Sequence, residues 1–179
     1  QPRSRGLGDV YKRQDITNPK DPNDNSKLEV LFEKMSKSKY NGIDPESVIK
    51  KYGADTARMF ILFKAPPEKD LEWGDSDVEG QYRFLCRIWK LFLDYSNNDI
   101  THEADKLKKE NESSLLKSIN IAIKEISNDI KNNQFNTAIS ELMKFYNSIS
   151  SNLNHVSKDL RREALMKFCI LLGPFAPHI

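Results

Sequence analysis

The sequence lacks the features that would indicate a membrane protein, a secreted protein or a metalloprotein. No apolar run approaches the ~18 residues that a membrane-spanning helix requires. No charged segment is followed by an apolar one in the manner of a secretory leader. The only two cysteines, Cys86 and Cys169, each lie in an apolar helical pattern without disulfide or metal-ligand spacing. We therefore expect buried thiols, no metal site and a reducing compartment, the cytoplasm.

An excess of one charge sign is also missing. The formal net charge is +2, which is too small to bind nucleic acid through bulk electrostatics. Residues 1–14 contain four basic residues and one acidic residue, so the rest of the chain carries a net charge of −1. Because this lead-in has no periodicity, we interpret it as non-native. An RNA-contacting surface must therefore depend on where charges lie rather than on their total.

A cluster of three lysines and two serines between Lys34 and Lys39 stands out from the rest of the chain. It has no apolar periodicity and Gly42 follows it closely, so we expect a mobile loop rather than core or helix. Ammonium groups, hydroxyls and accessible backbone N–H groups on such a loop suit the oxygens of a polyphosphate. For an arbitrary cluster of this composition, a solvated basic loop is the commoner explanation.

The chain around this loop alternates between turn, strand and helix signals. Residues 18–26 consist of turn-forming residues, and residues 27–32 alternate like a short strand. A helix is predicted from Pro45 to Tyr52, with Gly53 in the left-handed conformation after it. A second helix follows over about 54–63 and stops before two prolines.

A third helix is predicted from about residue 75 to residue 95. Its apolar stripe comprises Val78, Tyr82, Leu85, Trp89 and Phe92, widened by Phe84, Ile88 and Leu91. The narrow polar strip that remains carries Arg83, Arg87 and Lys90, which either contact an RNA backbone or face water.

Three side chains near these helices have expected contacts. Trp73, in the connector before the third helix, is expected to anchor that connector on a neighbouring core. Asp55 and Arg58 lie three positions apart on the second helix and could form an ion pair.

Three further helices complete the predicted architecture after a charged, exposed connection over residues 97–112. They are expected to begin at caps on Ser113 or Ser114, on Asn136 and on Ser157. Their predicted inward residues are Leu116, Ile119, Ile123, Ile126 and Ile130, then Ile139, Leu142, Phe145 or Tyr146 and Ile149, then Leu160, Ala164, Phe168, Leu171 and Leu172. With the third helix they make an antiparallel bundle. Residues 177–179 are expected to begin another element, at which the fragment is cut.

The string Lys34-Met35-Ser36-Lys37-Ser38 is identical to the KMSKS motif of class I aminoacyl-tRNA synthetases. From about residue 15 to residue 179, the chain resembles the leucyl-tRNA synthetases in particular. The similar segments are residues 41–45, 52–55 with Arg58, 66–67, 71–73, 78–80, 83–85 and 87–89. Valyl, isoleucyl and methionyl relatives share the motif and a Gly-Ala-Asp-like segment, whereas residues 72–73 and 78–80 favour the leucyl member.

The resemblance implies a mainly α fold with several parts. After the lead-in, residues 15–43 would be the end of a Rossmann-type α/β catalytic domain, with one strand and the KMSKS loop. Residues 44–74 would be stem-contact helices. Residues 75–179 would be an incomplete antiparallel helical bundle, the anticodon-binding domain of these synthetases.

The resemblance also implies a function. The parent enzyme, expected to be monomeric, would activate leucine with ATP and Mg²⁺ to leucyl-adenylate and transfer the leucyl group to tRNA(Leu). Lys37 would be the main contact to the triphosphate, with Lys34 second. Ser36 and Ser38 would contribute hydroxyl or backbone donors, and Met35 would tether the loop to an apolar surface. Arg83, Arg87 and Lys90 are the candidate tRNA contacts.

The companion His-x-Gly-His element of class I synthetases is absent from this sequence, whose only histidines are His102, His155 and His178. The leucine pocket would also lie outside the fragment, so we expect these residues alone to be inactive. Three alternatives stay open. The chain could be part of an isoleucyl or valyl synthetase, a stand-alone helical RNA-binding module, or a purely structural bundle.

Overall fold

The computed structural model describes residues 20–21, 23–28, 34–36, 38, 42–97 and 108–179. The chain forms two compact units, Gln1–Pro45 and Glu46–Ile179. None of the helices within the described ranges combines the length and the apolar character that crossing a bilayer requires.

In the first unit, the described residues near the start form a tight turn. Lys20 and Lys27 make an isolated antiparallel bridge, and inside it the N–H of Asp21 donates to the carbonyl of Ser26 at 2.8 Å. Asn25 lies in the turn with a positive φ of 62°, a conformation that asparagine adopts more readily than most residues. The turn predicted over residues 18–26 is confirmed for the described residues 20–21 and 23–26.

The strand predicted for residues 27–32 falls mostly outside the described residues. Lys27 takes part in the isolated bridge, and Leu28 belongs to no strand. Residues 29–32 lie outside the described ranges, so the remainder of the strand stays a prediction.

The second unit begins with two helices that are separated by a single glycine. Helix α1 (Pro45–Tyr52) has proline at its first position, where the missing N–H costs no hydrogen bond. Gly53 follows with a φ of 86°, and its N–H donates to the carbonyl of Ile49 at 2.8 Å. Helix α2 (Ala54–Lys64) begins directly after it. The predicted bounds are confirmed to within about one residue, and the positive φ that glycine adopts readily allows the two helices to lie so close in sequence.

Trp73 anchors the connector between α2 and α3 (Asp75–Asn97), as predicted. Its ring packs edge-on against Phe60, with 4.8 Å between the ring centroids. Its Nε1–H donates to Asp75 Oδ1 at 2.9 Å. Because Phe60 is 1% exposed, the tryptophan ties the connector to the core and the hydrogen bond secures the first turn of α3.

Helix α3 buries only part of the apolar arc predicted for it. Val78, Phe84 and Ile88 are at most 2% exposed and belong to the core. Tyr82 and Trp89 are 43% and 56% exposed, so the prediction that they lie in the buried stripe is wrong. Apolar residues cover about half of the circumference of this helix, and periodicity does not reveal which part its neighbours will cover.

Helix α4 (Lys108–Lys131) begins earlier than predicted. The exposed connection expected over residues 97–112 is wrong for residues 108–112, which are already helical, and so is the cap at Ser113 or Ser114. The first turns of α4 consist of charged and polar residues. Several of these are good helix formers, but they make no apolar stripe that a hydrophobic pattern could detect.

The buried stripe of α4 is also shifted at its start. Leu115 is fully buried, whereas the predicted Leu116 is 43% exposed. Ile119 and Ile126 are buried as predicted, and further along the helix the stripe follows the expected spacing.

The last two helices differ in how well their caps were predicted. Helix α5 (Phe135–Asn152) has Gln134 as its N-cap, so the predicted cap at Asn136 is wrong. Phe135, the first residue of the helix, is partly buried and packs against the core. A 3-10 turn (Leu153–His155) leads to α6 (Lys158–Leu172), whose N-cap is Ser157, as predicted.

The core of the second unit lies among α4, α5 and α6, which pack against one another in all three pairs. The fully buried Phe168 lies 5.8 Å from Phe145 and 6.3 Å from Tyr146 between ring centroids. Tyr146 in turn lies 5.5 Å from Phe84 of α3. Helix α2 packs on α3 and α5. The mainly helical fold and its bundle, predicted from the sequence, are confirmed.

Both cysteines are exposed, so the prediction of buried thiols is wrong. Each lies in an amphipathic helix, and the apolar pattern around it did not specify the angular position of the thiol. Partial burial still raises the pKa of the Cys169 thiol above its ordinary value, because desolvation disfavours the thiolate. The argument from buried thiols to a reducing compartment therefore loses its basis.

We expect Phe168→Ala to lower the free energy of unfolding by ~3–5 kcal/mol, because it empties the centre of the bundle. Ile170→Ala is the matched control. That side chain lies on the same helix but is 65% exposed, and its loss should cost less than about 0.5 kcal/mol. Urea unfolding followed by circular dichroism measures both values. Equal costs for the two variants would contradict the assignment of the core.

We expect iodoacetamide to label both cysteines in the folded chain, since both thiols are exposed. Labelling of Cys169 should keep rising with pH beyond the point where an ordinary thiol levels off, because its raised pKa delays formation of the reactive thiolate. Mass spectrometry of a Cys86→Ser variant isolates the Cys169 rate. Protection of either thiol until urea is added would disprove the exposure.

Candidate functional site

The lysine loop, which we define as residues 34–42, lies partly within the described chain. Lys34 and Ser38 are exposed, and Ser36 is half-buried. The hydroxyl oxygens of Ser36 and Ser38 lie 3.3 Å apart, within hydrogen-bonding distance. Lys37, the residue expected to contribute most, lies outside the described residues, as do residues 39–41.

The described part of the loop has the chemical groups expected of an anion-binding segment. It offers an ammonium group at Lys34 and two neighbouring hydroxyls that can donate or accept a hydrogen bond. Met35 was expected to tether the loop to an apolar surface, but 43% of it is exposed. The described chain therefore leaves much of this side chain uncovered.

The basic edge, which we define as Arg83, Arg87 and Lys90, is exposed along α3. The guanidinium carbon of Arg87 lies 5.7 Å and 5.9 Å from the ring centroids of Phe84 and Tyr146, within the range of a cation–π interaction. The hydroxyl of Tyr146 donates to the backbone carbonyl of Arg87 at 3.4 Å. Arg87 is thus held at the contact between α3 and α5 while remaining exposed.

Arg83 also lines a polar cleft among α2, α3 and α5 with a volume of about 610 Å³. Lys64 and Asp77 line the same cleft and form a salt bridge. Gln81 is 4% exposed, and its amide oxygen has no hydrogen-bond partner among the described residues. Such an oxygen is costly unless a water molecule or another donor reaches it. Sequence reasoning missed Gln81, although a lone amide between apolar helical positions was an available signal.

Asp55 and Arg58 do not pair with each other, so the predicted ion pair is wrong. Asp55 Oδ2 accepts from the backbone N–H of His178, and Asp55 Oδ1 lies 2.8 Å from Nδ1 of the same histidine. Arg58 donates from Nε to the carbonyl of Phe175 at 3.3 Å and from Nη2 to the carbonyl of Pro174 at 3.0 Å. The partners are more than a hundred residues away in sequence, beyond the reach of any local pattern.

The end of α1, the start of α2 and one face of α3 line an apolar groove with a volume of about 400 Å³. Tyr82 and Trp89, the two aromatic residues exposed on α3, lie in its wall together with Leu85. Within the part of the chain that the structure describes, no group of His, Cys, Asp or Glu has the arrangement of a metal site.

Two sequence families match separate parts of the chain. Residues 32–74 match the family described as tRNA synthetases class I (I, L, M and V). Residues 112–179 match the family described as anticodon-binding domain of tRNA ligase. The first match contains the lysine loop, α1 and α2, and the second contains most of α4 with all of α5 and α6.

Curated proteins named leucine–tRNA ligase are similar over nearly the whole chain. The protein of Prochlorococcus marinus subsp. pastoris strain MED4 is 96% identical over 166 residues, which are 93% of this chain and 19% of that protein. The protein of P. marinus strain MIT 9515 is 81% identical over the same shares. That of P. marinus strain NATL1A is 56% identical over 169 residues. The chain therefore spans about a fifth of the length of these relatives.

A solved structure is similar to a somewhat smaller part of the chain. It is the crystal structure of the ternary complex of Agrobacterium radiobacter K84 agnB2 LeuRS, tRNA and LeuAMS. The TM-score is 0.70 at 29% sequence identity, and the similarity covers 80% of this chain and 19% of that chain.

Proposed function

We propose that this chain carries two parts of the machinery of a leucine–tRNA ligase. The premise is that it belongs to the leucine–tRNA ligase family and spans about a fifth of such an enzyme. The lysine loop would bind the phosphates of ATP while leucine is activated. The helical second unit would bind tRNA(Leu), which then receives the leucyl group. The observation that carries the proposal is the KMSKS string at residues 34–38, inside the segment similar to class I synthetases.

The chemistry of activation explains why lysines suit this loop. The carboxylate of leucine attacks the α-phosphorus of ATP, a P–O bond breaks, and pyrophosphate leaves with additional negative charge. The leucine carboxylate needs no base to attack. Positive charge that contacts the leaving group more strongly in the transition state than in the ground state accelerates such a step. Lys37 would supply most of this charge and Lys34 a smaller part, while Ser36 and Ser38 donate hydrogen bonds.

Mg²⁺ would enter this site bound to ATP and therefore as part of the substrate. The oxygens it prefers are those of the phosphates themselves. The lysines and hydroxyls of the loop would contact the remaining phosphate oxygens and hold the triphosphate in position.

The basic edge of α3 would contact the tRNA backbone. A planar guanidinium suits phosphate recognition, and the rings of Phe84 and Tyr146 hold that of Arg87 in place. Because the net charge of the chain is only +2, RNA binding would depend on such local placement of basic groups. We further propose that the parent enzyme is a cytoplasmic monomer.

The proposed division of the chain follows the same roles. Residues 1–14 would be a non-native lead-in, and residues 15–43 the end of the catalytic domain. Residues 44–74 would be the stem-contact segment, and residues 75–179 the tRNA-binding domain. The boundary between the two compact units, at residues 45–46, lies close to the second of these boundaries.

We expect Lys37→Ala, introduced at the aligned position of the full-length MED4 relative, to lower the rate of leucine-dependent ATP–pyrophosphate exchange ~10²–10³-fold. Lys39→Ala is the matched control. It removes an equal charge two residues away but outside the motif, and it should change the rate less than about twofold. Unchanged exchange in the Lys37 variant would refute the role of the loop. Exchange driven by isoleucine or valine instead of leucine would favour the related synthetases.

We expect the triple variant Arg83→Ala, Arg87→Ala and Lys90→Ala to bind tRNA(Leu) less tightly in the same full-length relative. The slope of log K against log salt concentration should fall by about 2–3 units, since each lost phosphate contact accounts for roughly 0.7–0.9. The control removes three exposed lysines of α4, Lys117, Lys124 and Lys131, and should leave the slope nearly unchanged. Equal slopes for both triple variants would mean that the basic edge has no specific role.

A further inference from the structure

Helix α2 is bonded to the segment that follows α6. Helix α6 ends at Leu172, and the chain then turns so that the N–H groups of Phe175 and Ala176 donate to the carbonyl of Leu172 at 2.9 Å and 3.0 Å. Phe175 is 1% exposed and Ala176 is 2% exposed. The segment is therefore packed into the second unit, and Phe175 lies 6.5 Å from the ring of Phe135 on α5.

Asp55 provides one half of this connection. Both of its carboxylate oxygens are used, since Oδ2 accepts the backbone N–H of His178 at 2.8 Å and Oδ1 lies 2.8 Å from the imidazole Nδ1. Asp55 is 8% exposed. A largely buried carboxylate that loses such partners keeps its desolvation penalty without compensation. Removing the partners of Asp55 should therefore destabilise this contact strongly.

Arg58 provides the other half, one turn further along α2. It donates to the carbonyls of Pro174 and Phe175. These carbonyls follow the end of α6, where no further helical N–H is available to them. A cation near the end of a helix is also favourable toward the partial negative charge of its last carbonyls. The guanidinium therefore bonds the turn that directly follows α6 from a different helix.

Both helices of the pair α1–α2 are also bonded to α3. The hydroxyl of Tyr52 donates to Glu79 at 3.2 Å, and Lys64 forms a salt bridge with Asp77. The helix pair α1–α2, which begins seven residues after Ser38, is thus fastened to the bundle at two places. Asp55 and Arg58 form a further connection, which we call the clasp, and it joins α2 to the segment that follows α6.

We propose that Asp55 and Arg58 are positioning residues that hold the helix pair α1–α2 in one register on the tRNA-binding helices. They would contact neither ATP nor tRNA. Their loss would let the helix pair shift on the tRNA-binding helices, and transfer to tRNA would slow while activation of leucine continued. This inference rests on the proposed function, because it requires that activation and tRNA binding depend on different parts of the chain.

The test compares two reactions of the full-length MED4 relative with Asp55→Ala or Arg58→Lys at the aligned positions. Leucine-dependent ATP–pyrophosphate exchange reports on activation and needs no tRNA. Leucylation of tRNA(Leu) reports on both steps. We expect exchange to stay within twofold of the unaltered enzyme. Leucylation kcat should fall at least tenfold, with little change in the Kd for tRNA, because the basic edge is intact.

Two further variants separate positioning from a general loss of structure. His178→Ala removes the imidazole but keeps the backbone N–H that donates to Asp55, so leucylation should fall less than in Asp55→Ala. Asp55→Asn keeps an acceptor for that N–H and should restore part of the kcat that Asp55→Ala loses.

The matched control is Thr56→Val, which removes the hydrogen bond from a buried hydroxyl to the carbonyl of Tyr52 within the same helical region. It should leave the ratio of the two activities unchanged.

Several outcomes would overturn the inference. Exchange and leucylation that fall by the same factor would assign the two residues a structural role or a role in activation. Unaltered leucylation in the Asp55→Ala and Arg58→Lys variants would mean that the clasp does not position tRNA. Should Asp55→Ala fail to fold, Arg58→Lys and His178→Ala decide the question. If the unaltered relative charged no tRNA(Leu), the proposed function itself would fail instead.

Discussion

Burial of the aromatic rings between α5 and α6 is the interaction on which the second unit depends. Phe168 is enclosed by Phe145 and Tyr146, and Tyr146 extends the contact to Phe84 of α3. A close-packed centre of this kind leaves little freedom for the helices to shift. Polar groups at the rim of the bundle, such as Arg87 above the ring of Tyr146, therefore have a rigid base, although their charged ends are exposed.

The proposed ligase function uses electrostatics in two different ways. At the lysine loop, positive charge on flexible side chains would follow the charge that develops on a leaving pyrophosphate. On the bundle, the guanidinium of Arg87, fixed by neighbouring rings, would meet a phosphate backbone whose geometry does not change during the reaction. Both uses are compatible with a net charge of only +2, since each depends on a few groups at defined positions. The clasp on α2 would add a third role for charge, which is to hold the helix pair α1–α2 against the segment that follows α6.

Local chemistry accounts for the parts of the fold that were predicted correctly. Gly53 separates α1 from α2 because few other residues adopt its backbone conformation. Ser157 is the N-cap of α6, a position that serine favours, although its side chain makes no capping hydrogen bond there. The errors arose where a local pattern has no unique consequence. The polar start of α4 at Lys108 carries no apolar stripe, and the wide apolar arc of α3 did not reveal that Trp89 would be exposed.

The sequence by itself determined the identity of the lysine loop and the approximate course of the helices, because motif, caps and periodicity involve residues a few positions apart. It also singled out Arg83, Arg87 and Lys90 as one polar strip, since their helical spacing suffices for that. Only the tertiary structure decided the partners of Asp55 and Arg58, which lie 123 and 116 residues further along the chain. Those contacts form when the end of α6 returns to α2, and no spacing within a single helix contains that information.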